Sequence, residues 1–402
     1  MKMHLAHFGT FDVKNYGDLL FPRIAEHKLG DVFTAVTHIS PVGGQPYRDV
    51  PAAMTLRQVR QEGMRFDAVL IGGGNIVHAR PSGLVEYASV RRTAYPALWA
   101  GAAELARAQG IPIATNAPGV PRSMKRPTAT AMRLALRSVD YLAVRDQLSA
   151  DHLSSAGLTA RVMLDSALQI DEVFGGADDL RASFEGAAEG LEHGGYAAVH
   201  INDRYADGTP DAMAAVLDEL SRSLDMPLHL LAIGPCHGDD AYAREVAALM
   251  TTRPRVWDRL DRVQDIAAVL ANAAIYIGSS LHGFITASSY GVPALLVTDT
   301  RAQHKFIGLL EQLGIPDAMF GSWGGLLTHV RGLPSGGRVA VAPDMTAARI
   351  RLDTHWTSVR SALTSSAHAV HGSRSPFNWP VAISAVNFLD EGLPAAIRRR
   401  LA

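Results

Sequence analysis

The chain has 402 residues, 48% hydrophobic and 19% charged, and its 38 Lys and Arg nearly balance 39 Asp and Glu for a formal net charge of −1. That length and composition suit two or three globular domains with more than one core, and the charge balance leaves no global basic field to attract nucleic acid or an anionic membrane. The single cysteine, Cys236, excludes an intrachain disulfide and fits a reducing compartment; no apolar run approaches the ~18 residues of a membrane span, and His4, His7 and Asp12 interrupt what would be a signal-peptide core, so a cytoplasmic location is expected.

In chain order, the first half alternates strand and helix. MHLAHFG (3–9) reads as the first strand. DLLFPRIAEHKLG (18–30) reads as a helix with Asp18 at its N-cap and Gly30 at its end, Pro22 fitting only its first turns. Strands follow at 32–39 and at FDAVLIGGGN (66–75), then a helix at 96–110. IPIATNAPG (111–119) and DYLAVRD (140–146) are strands around a helix at 128–138, and RVMLDSAL (161–168) closes this half. The stretch 175–195, rich in Gly, Ala and charge and without a strand, reads as a linker between domains at 1–174 and 196–343.

The second half restarts the alternation. Strands are expected at 196–202, 227–234, 274–280 and 293–298, and helices at 211–224, 239–250, 262–273, 281–291 and 301–314. A long helix past residue 344 begins a C-terminal helical extension, 344–402. The fold class expected is therefore α/β, two Rossmann-like parallel-sheet domains with helices on both faces. In such sheets ligands bind just beyond the carboxyl ends of the strands.

Four strand ends carry residues suited to chemistry. Asn15-Tyr16-Gly17-Asp18 opens a helix, where glycine lets backbone amides approach an anion; taken alone, a simple capped turn is the plainer account. Gly72-Gly73-Gly74-Asn75 permits close backbone approach to a ligand, or is a turn needing positive φ; it is neither a Walker A loop nor the spaced dinucleotide fingerprint. His200, Asn202 and Arg204 share one side if the strand extends that far, and Arg204 either grips a carboxylate or phosphate or pairs with Asp203 or Asp207. In GSSLHGFITASSYGVPALLV (278–297), Ser279 or Ser280 caps a helix and His282 falls in its first turn, where a histidine is a usable acid or base or simply part of the packing. The sixteen histidines lack metal-ligand spacing, so no metal and no cofactor are expected.

Taken together and in this order, NYGDLLFPRIAEHKL, DAVLIGGGNIVH, YLAVRDQLSADHLSSAGL, VMLDSAL, the arginine after the strand at 196–202, SSLHGFITASSYGVPALLV and HKFIGLLEQLG resemble the polysaccharide pyruvyl transferase family over about residues 5 to 315. The resemblance implies a GT-B-like pair of facing domains and transfer of a pyruvyl group from phosphoenolpyruvate to saccharide hydroxyls, closing a ketal. It implies His282 as the acid; Arg204, Lys305, Arg145 and Ser280 around the donor; and Asn15, Gly17, Asp18, Gly73, Gly74, Asn75 and Asp165 on the acceptor side or at the cleft. Phosphoenolpyruvate is then a co-substrate, and the partners are a small donor and a saccharide acceptor. One departure stands out. The family usually has an Arg-Leu-His triplet, and here it is Ser280-Leu281-His282. Serine cannot pair with an anion as arginine does. A GT-B-like glycosyltransferase or other transferase with a different donor, and a non-catalytic binding protein on the same fold, are the alternatives. Phe377, Trp379 and the arginines at 398–400 lie outside the resemblance; the aromatics suit core burial or stacking on a sugar, the arginines a solvated helix end.

Overall fold

The structure is a computed structural model, and it describes residues 3–185, 191–298, 304–334, 338–365 and 380–384. Runs such as AVLI, LHLL and ALLV are apolar at nearly every position, as strands covered on both faces must be. They fall into two parallel sheets. The first contains β1 (Met3–Phe8), β2 (Phe33–Ile39), β3 (Ala53–Met54), β4 (Ala68–Ile71) and β5 (Ile113–Thr115), in the order β3-β2-β1-β4-β5. A bridge from Ala114 to Tyr141 continues it toward the short pair β6 (Ala143–Val144) and β7 (Arg161–Val162). The second contains β8 (Ala197–His200), β9 (Leu228–Leu231), β10 (Arg255–Trp257), β11 (Ile275–Gly278), β12 (Ala294–Val297) and β13 (Met319–Phe320), in the order β10-β9-β8-β11-β12-β13.

Both sheets thus follow the doubly wound order, and in each the winding reverses between the first and fourth strands, β1 with β4 and β8 with β11. Register brings those strands to a common edge. Phe8 pairs with Ile39 and Ile71, and His200 pairs with Gly278. The four strand ends singled out in the sequence are the ends of these four strands. The expected α/β class, with two facing Rossmann-like sheets, is what the structure has.

Local details differ from the sequence expectations. The first helix is Tyr16–Leu29, not 18–30, and its N-cap is Asn15 rather than Asp18. Asn15 makes no side-chain cap bond, because its Nδ2 donates instead to Asp18 Oδ2 at 2.9 Å. Pro22 lies buried within this helix, beyond its first turn. β8 stops at His200, because the Asn202 side chain accepts Arg204 N–H at 3.1 Å and starts a short 3₁₀ turn at Asp203–Tyr205. Only Arg161–Val162 of the segment 161–168 is strand; Asp165 caps a 3₁₀ turn at Ser166–Gln169.

The two halves are stitched together. Tyr16 N–H donates to Ile233 O at 2.9 Å, and Tyr16 Oη meets Thr286 Oγ1 at 2.9 Å. The Asp49 carboxylate accepts Val263 N–H and Gln264 N–H, both at 2.9 Å, at the start of the helix Val263–Ala271. The long helix Thr346–Thr364 returns to the N-terminal half. There His355 bridges Tyr141 Oη at 3.0 Å and Asn116 Oδ1 at 3.1 Å, and Trp356 Nε1 donates to Gln169 Oε1 at 3.1 Å. Phe377, Trp379 and residues 398–400 fall outside the described residues.

Candidate active site

Where the two switch points face each other lies a cavity of about 270 Å³. From the N-terminal half it is lined by Asn15, Asp18, Asn75 and Arg145, and from the C-terminal half by Arg204, Ser280 and His282. Asp165 lies behind them, and Lys305 falls outside the described side chains. The other residues singled out in the sequence are brought together.

His282 sits in the first turn of the helix Leu281–Ser289. Ser280 is its N-cap, and Ser280 Oγ accepts Gly283 N–H at 3.3 Å. The imidazole crosses to the other half. A Cβ on Gly17 would lie 1.9 Å from His282 Nδ1, so this contact requires glycine. Phe21, on the same helix as Gly17, presents its ring edge-to-face at 5.8 Å. Gly74, at φ +83°, lets its loop close onto Asp18: a Cβ there would lie 2.7 Å from Asp18 Oδ1. Gly73 does the same against the Phe21 ring.

Around the imidazole is a charged cluster. Asp165 Oδ2 is 3.7 Å from His282 Nε2 and 3.8 Å from Arg145 Nη1. Both separations exceed a hydrogen bond. His282 Nε2, Asp165 Oδ2 and Arg145 Nε are buried polar atoms with no hydrogen-bond partner among the described residues. Buried polar groups are nearly always paired, so these atoms, on and just behind the cavity wall, are open to polar groups of a ligand. The two carboxyls differ. Burial pushes Asp18 above the usual carboxylate range, against the pull of His282 and Arg145. Burial also pushes Asp165 up, but His282, Arg145 and the Ala167 N–H outweigh it and hold Asp165 below that range. Opposed shifts on neighbouring acids are how one pocket keeps one proton carrier and one fixed anion.

Arg204 is exposed at the rim. It forms no ion pair with Asp203 or Asp207 among the described residues; Asp207 instead accepts Gly324 N–H at 3.0 Å. Arg145 is nearly buried, with Asp146 Oδ2 3.5 Å from its Nε.

Among the further residues that line the cavity are Ser279, which the sequence offered as a helix cap, His200, which it placed at a strand end beside Asn202 and Arg204, and Asp239, which it did not single out. Asp239 opens the helix Asp239–Leu249, one of several acidic helix starts in the chain. Only the adjacency of β8 and β9 brings it to His200.

Residues 15–300 match the family model described as polysaccharide pyruvyl transferase. No curated protein matches the chain. Among solved structures, the UDP-N-acetylglucosamine 2-epimerase from Rickettsia bellii aligns with a TM-score of 0.57 at 13% identity, over 90% of this chain and 97% of its own. A protein assigned as UDP-N-acetylglucosamine 2-epimerase from Listeria monocytogenes aligns at 0.50 and 14% identity, over 98% and 97%. At such identities the likeness is one of fold, the GT-B-like arrangement of two facing sheets.

Proposed function

The chain belongs to the polysaccharide pyruvyl transferase family and is a transferase; from that premise we propose that it moves the pyruvyl group of phosphoenolpyruvate onto hydroxyls of a saccharide or glycan precursor, closing a ketal, with His282 as the general acid. The observation that carries this reading is that His282 and Arg145 line one cavity, with His282 Nε2 lacking a hydrogen-bond partner among the described residues and lying 3.7 Å from the Asp165 carboxylate. The donor needs a proton on its methylene carbon while its carboxylate and phosphate are held by cations. His282 gives the proton. Arg145 and the rim cation Arg204 take the anionic groups, and Asp165 keeps the imidazole aimed. The acceptor lies against Asn15, Asp18 and Asn75. No helix among the described residues is long and apolar enough to cross a membrane, and we place the reaction in the cytoplasm.

Ser280 favours a second reading. Where the family usually has an arginine, this chain spends the side chain on a helix cap. A nucleotide-sugar donor on the same scaffold would need no guanidinium there, and the two aligned structures are named for UDP-sugar epimerases.

Phosphate release from phosphoenolpyruvate in the presence of acceptor tests the first reading. His282→Ala should lower it by ~10²-fold or more; undiminished turnover would remove His282 from its role. Thermal stabilisation by a UDP-sugar but not by phosphoenolpyruvate would favour the second.

A further inference from the structure

His200 is held at both ends. Its Nε2 lies 2.9 Å from Asp239 Oδ2, and its Nδ1 lies 3.1 Å from Ser279 Oγ. The same carboxylate oxygen accepts Ile233 N–H at 2.9 Å and Gly234 N–H at 2.6 Å. All three side chains border the cavity, yet Ser279 is only 3% exposed, His200 5% and Asp239 1%.

The donors and acceptors fix the protons. Asp239, facing two backbone N–H groups, is the acceptor-only carboxylate, so His200 Nε2 carries the proton. In the neutral imidazole Nδ1 is then bare and accepts from the Ser279 hydroxyl. The remaining lone pairs of Ser279 Oγ are left to accept from a further hydroxyl. Burial raises the Asp239 carboxyl, but His200 and the Gly234 and Ile233 amides outweigh it and keep it below its usual range. An anion is thus retained behind an imidazole that gains positive charge.

We infer that Ser279, His200 and Asp239 form the base arm of this site, taking the proton of the attacking acceptor hydroxyl through Ser279 while His282 supplies the proton on the donor. Ser279 is the group that meets the hydroxyl; His200 and Asp239 act through it. The inference rests on the transferase reading above. Ser279 lies between β11 and the following helix and His282 in that helix's first turn, three residues on, so one continuous segment sets the spacing of base and acid.

The acceptor O–H breaks, its proton goes to Ser279 Oγ, and the Ser279 proton goes to His200 Nδ1. The freed oxygen pair forms the C–O bond to C2 of the donor, and the C2=C3 pair takes the proton from His282. When a second hydroxyl closes the ketal, the C2–O bond to phosphate breaks. Two protons have then left the acceptor: one replaces that given by His282, through solvent, and the other departs on phosphate.

His200→Gln tests this, because the amide can keep both hydrogen bonds but cannot bind a proton. With whichever donor the wild type turns over, His200→Gln and Ser279→Ala should lower kcat by ~10²-fold with the donor KM within about threefold, and the acidic limb of the kcat/KM profile should vanish in His200→Gln. Wild-type kcat and an unmoved limb in His200→Gln would overturn the base arm. Turnover of a UDP-sugar but not of phosphoenolpyruvate would overturn the donor assignment alone, since that acceptor hydroxyl also needs a base. If neither donor turns over, ¹⁵N spectra of the histidine-labelled full chain still decide: Nε2–H on His200 supports the relay, and Nδ1–H overturns it.

Discussion

The contact between Gly17 and His282 is the tightest constraint in the cavity, since any Cβ at 17 would overlap the imidazole. Gly17→Ala must push the ring away or part the two halves. A displacement of about 1 Å at a reacting group costs ~10²-fold in rate, and overpacking of this kind costs about 1–3 kcal/mol. We expect kcat to fall by ~10²-fold while melting shifts downward, read by phosphate release and a thermal scan. Asp165 offers a contrast. Asp165→Asn keeps the shape and removes the anion facing both Arg145 and His282. Its expected signature is a fall in kcat of ~10-fold or more with the fold intact, measured on the same assay with circular dichroism as the check.

The helix Leu281–Ser289 joins stability to function through Ser280. Losing an N-cap hydroxyl costs about 1 kcal/mol, so Ser280→Ala should lower unfolding free energy by roughly that amount in a denaturant titration. Ser280→Arg loses the same cap but restores a cation, and should lower the KM for phosphoenolpyruvate if that is the donor. A raised or unchanged KM would speak for another donor. The long elements were legible because their apolar runs are long: β1, β2, β4, β8, β9, β11 and β12 all follow from the pattern. The short strands β5, β6 and β7 were found only as parts of longer runs, whereas β3, β10 and β13, of two or three residues each, carry too few positions for a period to show and exist through pairing with a neighbour. The site divided the same way. Asn15 to Asp18, Gly72 to Asn75 and Ser279 to His282 announce themselves as local clusters at strand ends. The pairing of His200 with Asp239 spans 39 residues and depends on which strands lie side by side, which no local pattern states.

Across the whole molecule the cores of both halves enclose histidines that must stay neutral. Burial holds His7 well below its ordinary value, with His38 adding to it, and lowers His78 to about 3 and His229 and His355 to about 4. The unfolded chain binds these protons near pH 6.5 and the folded chain does not, so stability is full above about pH 6.5, is lost progressively as pH falls from there to the folded values of about 4 and 3, and levels off below them. Each contributes a slope of up to about 1.4 kcal/mol per pH unit in that window. Melting temperatures should therefore drop steeply between pH 6 and 4, and His355→Gln should flatten part of that drop. The seam between the halves has a spectroscopic counterpart. Phe21 belongs to one half and His282 to the other, and their rings meet nearly perpendicular at 5.8 Å. The circulating electrons of the phenyl ring shift the magnetic resonance of protons held that close. The carbon-bound protons of His282 thus act as a built-in gauge of separation, moving toward random-coil frequencies when the halves part and returning when they close. Phe21→Leu would silence that signal and identify it.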